Sequence, residues 1–164
     1  MPKATVITVS DRCSRGEAID RSGPAVRETL EKHGYEVTAV EIVPDDVERI
    51  QAMLIDSCGS AELVVTTGGT GIAARDVTPE ATRSVCGRLI EGVAERMRAE
   101  GMKKTPLAAL SRAVCGIRGQ SIILNLPGSP KAATESLTAV IDVLPHALEL
   151  LRGNTAHNEA GSPR

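Results

Sequence analysis

Residues 66–82 read T-T-G-G-T-G-I-A-A-R-D-V-T-P-E-A-T. Gly68, Gly69 and Gly71 follow an apolar run and precede a helix start, so backbone N–H groups there can approach an oxyanion without interference from a Cβ. The stretch lacks the lysine of a P-loop, and it carries Arg75-Asp76 where a bare phosphate would be repelled by a carboxylate. Aspartates recur in two other turns, Asp11 in Ser10-Asp11-Arg12 and Asp45 in Pro44-Asp45-Asp46. Ser22-Gly23-Pro24, Thr78-Pro79 and Pro127-Gly128-Ser129-Pro130 each place a proline at an expected first helical position behind a Ser, Gly or Thr cap. Helix N-termini favour anions through their unpaired N–H groups and dipole. Carboxylates join such a site when a divalent cation bridges them to the ligand, since Mg²⁺ is commonly held by one or two carboxylates plus substrate phosphates. Glycines, helix ends and aspartates together point to a magnesium nucleotide or another Mg-bridged phosphate ester. Chemistry at phosphorus would then rest on positioning and charge neutralisation.

Taken singly, each signal has a plainer reading. An Asp just before a helix is more often a cap, and Asp46 is read as one. Gly68-Gly69 alone is a tight turn. Gly69, Gly71 and Ala74 spell a loose G-x-G-x-x-A, but they follow the third strand, and Thr78-Pro79 delays the helix. Ser111-Arg112 is within reach of a phosphate, yet by itself it is a surface pair. His33, His146 and His157 are scattered, Lys103-Lys104 is a solvated pair, and no serine sits in a G-x-S-x-G elbow. What favours a ligand site is that four such turns fall on one edge of the fold.

That edge follows from the order of elements. Strands are expected over 4–9, 35–43 and 62–67, with helices over 24–33, from Val47 to Cys58 and from Pro79. Leu89, Val93 and Met97 mark a further helical stripe to about Glu100, and Thr105-Pro106 opens a short helix. Residues 113–118 and 121–126 form a hairpin around Gly119-Gln120. A last helix presents Leu137, Val140, Ile141, Leu144, Leu148 and Leu151, and Pro145 should kink or break it. Alternating strands and helices predict an α/β three-layer sandwich, a mostly parallel central sheet with an antiparallel hairpin addition. One domain is expected over 1–153, followed by a polar, disordered tail over 154–164. In such a sheet the strand-to-helix turns share the carboxyl edge, where ligands bind.

Composition excludes several classes. The 164 residues include no Phe, no Trp and only Tyr35, which leaves no aromatic platform for single-stranded nucleic acid. A formal net charge of −2 without a long basic run argues against nucleic acid and anionic membrane as partners. The N-terminal apolar run is too short for a signal segment or membrane span. Cys13, Cys58, Cys86 and Cys115 lie far apart with no C-x-x-C pair, as expected of reduced thiols in a cytoplasmic protein.

The ordered set S-D-R, D-R-S-G-P, V-P-D-D-V-E-R-I, T-T-G-G-T-G…R-D-V-T-P-E-A-T, L-S-R-A-V-C-G-I-R-G-Q and I-I-L-N-L-P-G-S-P-K-A resembles the molybdopterin adenylyltransferases. These are the Mog-type enzymes of molybdenum cofactor synthesis, also present as the G domain of gephyrin-like proteins. The resemblance runs from about Ala4 to Gly153. It implies a molybdopterin-binding-like fold and an ATP- and Mg²⁺-dependent transfer of AMP onto the terminal phosphate of molybdopterin, with release of pyrophosphate. It further implies a homotrimer and a molybdenum insertase partner that receives the product. Carried onto this chain, the family's essential, metal-positioning aspartates fall on Asp45 and Asp76. Ser10, Asp11, Ser22, Gly23, Gly68, Gly69, Thr70, Gly71, Ser111, Pro127, Gly128 and Ser129 are implied as lining the substrate and nucleotide site. Departures at Ile72-Ala73-Ala74, Ile90-Glu91-Gly92 and Lys131 touch neither aspartate. The alternative is a non-catalytic pterin-binding carrier of the same family, which shares the G-G-T-G and D-V-T-P signatures.

Overall fold

The computed structural model describes residues 1–155. Its strands are β1 (Lys3–Val9), β2 (Glu36–Val43), β3 (Leu63–Thr67), β4 (Arg88–Leu89), β5 (Cys115–Arg118) and β6 (Ser121–Leu126). Its α-helices are α1 (Asp11–Ser14), α2 (Ser22–Lys32), α3 (Val47–Cys58), α4 (Thr78–Val85), α5 (Glu91–Met102), α6 (Pro130–Val140) and α7 (Leu144–Leu151), and a 3₁₀ turn spans Pro106–Leu110. The strands form one sheet in the order β2-β1-β3-β6-β5-β4. β2, β1, β3 and β6 run parallel, while β5 is antiparallel to both β6 and β4.

β1, β3 and β6 are continuous runs of β-branched and aliphatic residues rather than alternating ones, because helices cover both faces. On one face α2, α5, α6 and α7 bury Leu30, Met97, Leu137 and Leu148 against Val6, Val65 and Leu124. On the other, α3 and α4 bury Ile50, Leu54 and Ala81 against Ile7, Val64 and Ile123. The three layers expected from the sequence are therefore present.

Two local expectations change, and the expected break at Pro145 is present. Leu89 belongs not to a helix but to β4, whose two residues pair with Gly116 and Ile117 and extend the hairpin to a third strand. The stretch after β1 opens with a one-turn helix, α1. The last helical stripe is split between Val140 and Leu144, with Pro145 at the start of α7, as the missing N–H of proline requires. Asn154 and Thr155 lie outside any helix or strand, and the rest of the expected tail lies outside the described residues.

One buried polar group ties the hairpin to the parallel sheet. Asn125, fully buried on β6, donates to Thr66 Oγ1 at 3.0 Å and Thr82 Oγ1 at 2.9 Å and accepts from the Val114 N–H at 3.1 Å. Asn125→Leu keeps the volume but leaves those partners unpaired, so denaturant unfolding should show a loss of about 2–4 kcal/mol. A loss below about 0.5 kcal/mol would deny the network its structural role.

Candidate functional site

Because β1, β2, β3 and β6 are parallel, the turns that follow them meet at one edge. The chain steps from β1 to β2 on one side and places β3 on the other, so the order reverses beside β1, where open α/β sheets form a crevice. The first two turns are locked to each other. Asp11 N–H donates to Asp45 Oδ2 at 2.9 Å, and Asp45 N–H donates to Asp11 Oδ1 at 3.0 Å. Arg75 closes this pair from the third turn, its Nε and Nη2 each donating to one Asp11 oxygen at 2.9 Å. Both Asp11 oxygens are therefore occupied by the protein. Against the upward pull of burial, the Asp45 N–H and the Arg75 guanidinium hold the Asp11 carboxyl below its ordinary value. The opposite holds at Asp45. Burial pushes its carboxyl up, and the charges of Asp11 and Asp76 add to that, against the Asp11 N–H bond. Asp45 is thus a half-buried carboxylate beside two others, an arrangement that a bound cation relieves.

In the third turn Gly68 and Gly69 both take positive φ, +96° and +67°. Thr78 holds them from the start of α4, its hydroxyl donating to Gly68 O at 2.9 Å and its N–H to Gly69 O at 3.2 Å. A Cβ on Gly69 would collide with Thr78 Oγ1 and come within 3.1 Å of Asp45 Oδ1. A Cβ on Gly71 would lie 2.8 Å from Asp76 Oδ2, which accepts the Ala73 N–H at 3.0 Å. The loop is glycine-rich, then, partly so that the two carboxylates can approach its backbone.

The helix starts differ from the sequence expectation at two of three prolines. At α6 Ser129 is the cap, its Oγ accepting the Ala132 N–H at 3.2 Å, and Pro130 is the first helical residue. At α4, however, Val77 precedes the helix without a side-chain cap, because the Thr78 hydroxyl is turned to Gly68. α2 begins at Ser22, two residues ahead of Pro24; Arg21 at its N-cap makes no side-chain cap bond, and Asp20, one residue before, takes up a first-turn N–H instead. Asp20 accepts from Gly23 N–H at 3.0 Å, from Thr8 Oγ1 at 2.8 Å and from Ser22 Oγ at 3.4 Å, and Ser22 Oγ also meets Thr67 Oγ1 at 2.6 Å. Asp46 caps α3, accepting the Arg49 N–H at 2.9 Å. The sequence reading does not single out Asp20 and Thr67. The signals available are a carboxylate two residues before Ser22-Gly23-Pro24 and a hydroxyl at the carboxyl end of β3.

Two open cavities, an apolar and a polar lobe, flank the glycine loop. The smaller, about 400 Å³, is lined by Ser10, Ser22, Asp45, Gly68, Gly69 and Asp76, with Asp20, Thr67 and Gly128. The larger, about 600 Å³, is reached by Thr70, Gly71, Ser111 and Pro127 and is walled chiefly by Met97, Leu107, Leu110 and alanines of the 3₁₀ turn and α6. The glycine loop stands between them, Gly68 and Gly69 on one side, Thr70 and Gly71 on the other. Asp11, Gly23 and Ser129 line neither lobe but hold its walls through the bonds above. The polar lobe suits phosphates, and the apolar lobe suits a flat heterocycle. Among the described residues no group of three or more His, Cys, Asp and Glu is arranged to hold a metal unaided. Asp45 and Asp76 both line the polar lobe, and two carboxylates beside phosphates are a donor set that suits Mg²⁺.

Three of the four cysteines are held as thiols by burial, and the fourth, Cys13, lines the polar lobe. Burial pushes the Cys86 thiol to about 11 and the Cys115 thiol to about 12, and it raises Cys58 as well. The described residues contain no helix long and apolar enough to cross a membrane.

Comparison with known proteins matches residues 5–146 to a family described as a probable molybdopterin binding domain. The molybdopterin adenylyltransferase of Helicobacter pylori strain J99 is 44% identical over 153 residues, covering 91% of this chain and 87% of that protein. Gephyrin of Dictyostelium discoideum is 40% identical over 157 residues, 89% of this chain but 22% of that longer one. The crystal structure of the molybdopterin biosynthesis enzyme MoaB from Thermus thermophilus superposes with a TM-score of 0.87 at 52% identity, covering 93% of this chain and 98% of that one.

Proposed function

Because the chain belongs to the probable molybdopterin binding domain family, we propose that it is a molybdopterin adenylyltransferase acting in molybdenum cofactor biosynthesis. The observation that carries this reading is the pairing of Asp45 and Asp76 across the glycine loop, which is flanked by one polar and one apolar lobe. A terminal phosphate oxygen of molybdopterin attacks the α-phosphorus of ATP. The bond from that phosphorus to the bridging oxygen breaks, and pyrophosphate leaves with the electron pair. The new P–O–P link is adenylyl-molybdopterin.

No side-chain nucleophile is needed. Asp45 and Asp76 would hold Mg²⁺, which when bound neutralises phosphate charge. The Gly68 N–H is spent on Leu126 O at 3.0 Å, so the amides of Gly69 and Gly71 are the ones offered to phosphate oxygens, and Ser10 and Ser22 line the polar lobe. Ser111 and Thr70 border the apolar lobe, where a heterocycle is held against Leu107 and Leu110. Alignment of the two phosphates across the glycine loop supplies much of the rate. The family resemblance supports assembly as a homotrimer, a cytoplasmic setting and delivery of the product to a molybdenum insertase.

Purified protein given molybdopterin and Mg-ATP should release pyrophosphate stoichiometrically with adenylyl-molybdopterin, and chelation of the metal should stop it. Calorimetry that finds pterin binding but no ATP binding, with or without Mg²⁺, would instead make the protein a carrier.

A further inference from the structure

The sequence places Ser111-Arg112 within reach of a phosphate, but Arg112 lines neither lobe and borders instead a separate depression of about 360 Å³ with Glu80, Arg83, Arg98 and Ser111. Its guanidinium is spent inside the protein, on three acceptors from three places. Nε donates to Gly71 O at 2.8 Å, Nη2 donates to Asp76 O at 2.7 Å, and Nη1 pairs with the Glu80 carboxylate on α4. Its backbone N–H donates to Thr70 O at 2.9 Å. These acceptors bracket the loop 70–76, at whose far end Asp76 stands. The loop's other anchors are local or exposed: Asp76 N–H to Ala73 O at 3.0 Å, Ala73 N–H to Asp76 Oδ2 at 3.0 Å, and the exposed Arg75–Asp11 pair. Arg98 in turn steadies the segment that carries Arg112, donating to Ala113 O at 3.0 Å.

We propose that Arg112 is a positioning residue that sets Asp76 and the glycine loop at a fixed separation, rather than a ligand for substrate oxyanions. Three divergent acceptors require a planar fork, which guanidinium provides and an ammonium does not. Because Ser111 is its neighbour and borders the apolar lobe, the same short segment fixes both lobes relative to each other. The inference rests on the assignment of Asp76 to the reaction, made above.

The test compares Arg112→Lys, Arg112→Gln and Glu80→Gln with the wild type, in two assays. The first is hydrogen exchange of peptides spanning 70–78, with peptides of β5 and β6 as internal reference. The second is pyrophosphate release, resolved into kcat and KM for Mg-ATP. Arg112→Lys keeps the charge and loses the fork, so exchange in 70–78 should rise at least about 10-fold while the reference peptides stay unchanged. In the same variant kcat should fall about 10- to 100-fold with KM within about 3-fold, the size expected when a group supporting a ligating side chain is lost. Glu80→Gln leaves the other three bonds and should show the same signature more weakly. It also serves if the Arg112 variants fail to fold. Unchanged exchange overturns the proposal, as does a raised KM with intact kcat, which would make Arg112 an oxyanion ligand. Faster exchange with normal kcat overturns it too. Since exchange is read without turnover, a wild type inactive with ATP would sink the adenylyltransferase reading alone.

Discussion

Asp76→Asn is expected to reduce pyrophosphate release at least about 10²- to 10³-fold, the cost of removing one charge-stabilising group from a phosphate-transfer site, while pterin affinity stays within a few-fold. The substitution is nearly isosteric. Asn can still offer an oxygen to the Ala73 N–H, which Asp76 Oδ2 now accepts at 3.0 Å, so the loop keeps its turn. The Arg112 bond goes to the backbone carbonyl of residue 76, not to its side chain, and survives as well. What disappears is one negative charge beside Asp45, and with it half of the carboxylate set for Mg²⁺. The apolar lobe, bordered by Thr70, Ser111 and Leu107, is not reached by residue 76, which is why pterin binding should persist. Steady-state pyrophosphate release and pterin calorimetry on the same preparation measure both halves. Full activity would take Asp76 out of the mechanism, and loss of pterin affinity would show that the lobes are not separable in this way.

Gly69→Ala should be nearly as damaging, and by a different route from Gly68→Ala. Both positions take positive φ, where an L-residue carries a cost of about 1–2 kcal/mol. A Cβ at Gly68 would run into the backbone carbonyl of Val9, at the end of the central strand β1, which has little freedom to yield. The cost there falls on the fold, and unfolding should show a loss of about 2–4 kcal/mol. A Cβ at Gly69 would meet the ends of side chains, Thr78 Oγ1 and, at 3.1 Å, Asp45 Oδ1. Those can move, so stability should fall by only about 1–2 kcal/mol, but moving them displaces the Asp45 carboxylate proposed to hold the metal and releases the hydroxyl that holds Gly68 O. Turnover in Gly69→Ala should therefore drop about 10²-fold, as expected when reacting groups shift by about 1 Å. Thermal unfolding and pyrophosphate release on the two variants distinguish the cases. If Gly69→Ala kept its activity, the close fit of the loop to Asp45 would have no mechanistic weight.

The glycine loop shows how far sequence alone reaches. Gly68, Gly69 and Gly71 announce close approach to the backbone, and the aspartates that recur in the neighbouring turns, Asp11, Asp45 and Asp76, point to a cation, because carboxylates have few other uses beside a phosphate. The strand order is legible to the extent that alternating patterns of period 2 and 3.6 impose a parallel sheet with its turns on one edge. Local capping is less legible. Thr78 is expected to cap α4, yet its hydroxyl turns to Gly68 O. Asp20, which opens D-R-S-G-P but is not read as a helix-start signal, takes the Gly23 N–H of α2.

Residue types and order, then, determined by themselves the α/β layering and the carboxyl edge with its aspartate-bearing turns, since each depends on chemistry local to a few consecutive residues; the family resemblance alone singled out Asp45 and Asp76 among those carboxylates. Only the tertiary structure decided what those carboxylates touch. Asp11 is consumed by Asp45 and Arg75, residues 34 and 64 positions away. Arg112 binds the loop 70–76 across 36 and 41 positions, and two lobes of unlike polarity flank the glycine loop. Such contacts carry no sequence period, because they arise only when the sheet brings separate turns to one edge and buried donors and acceptors must find partners there.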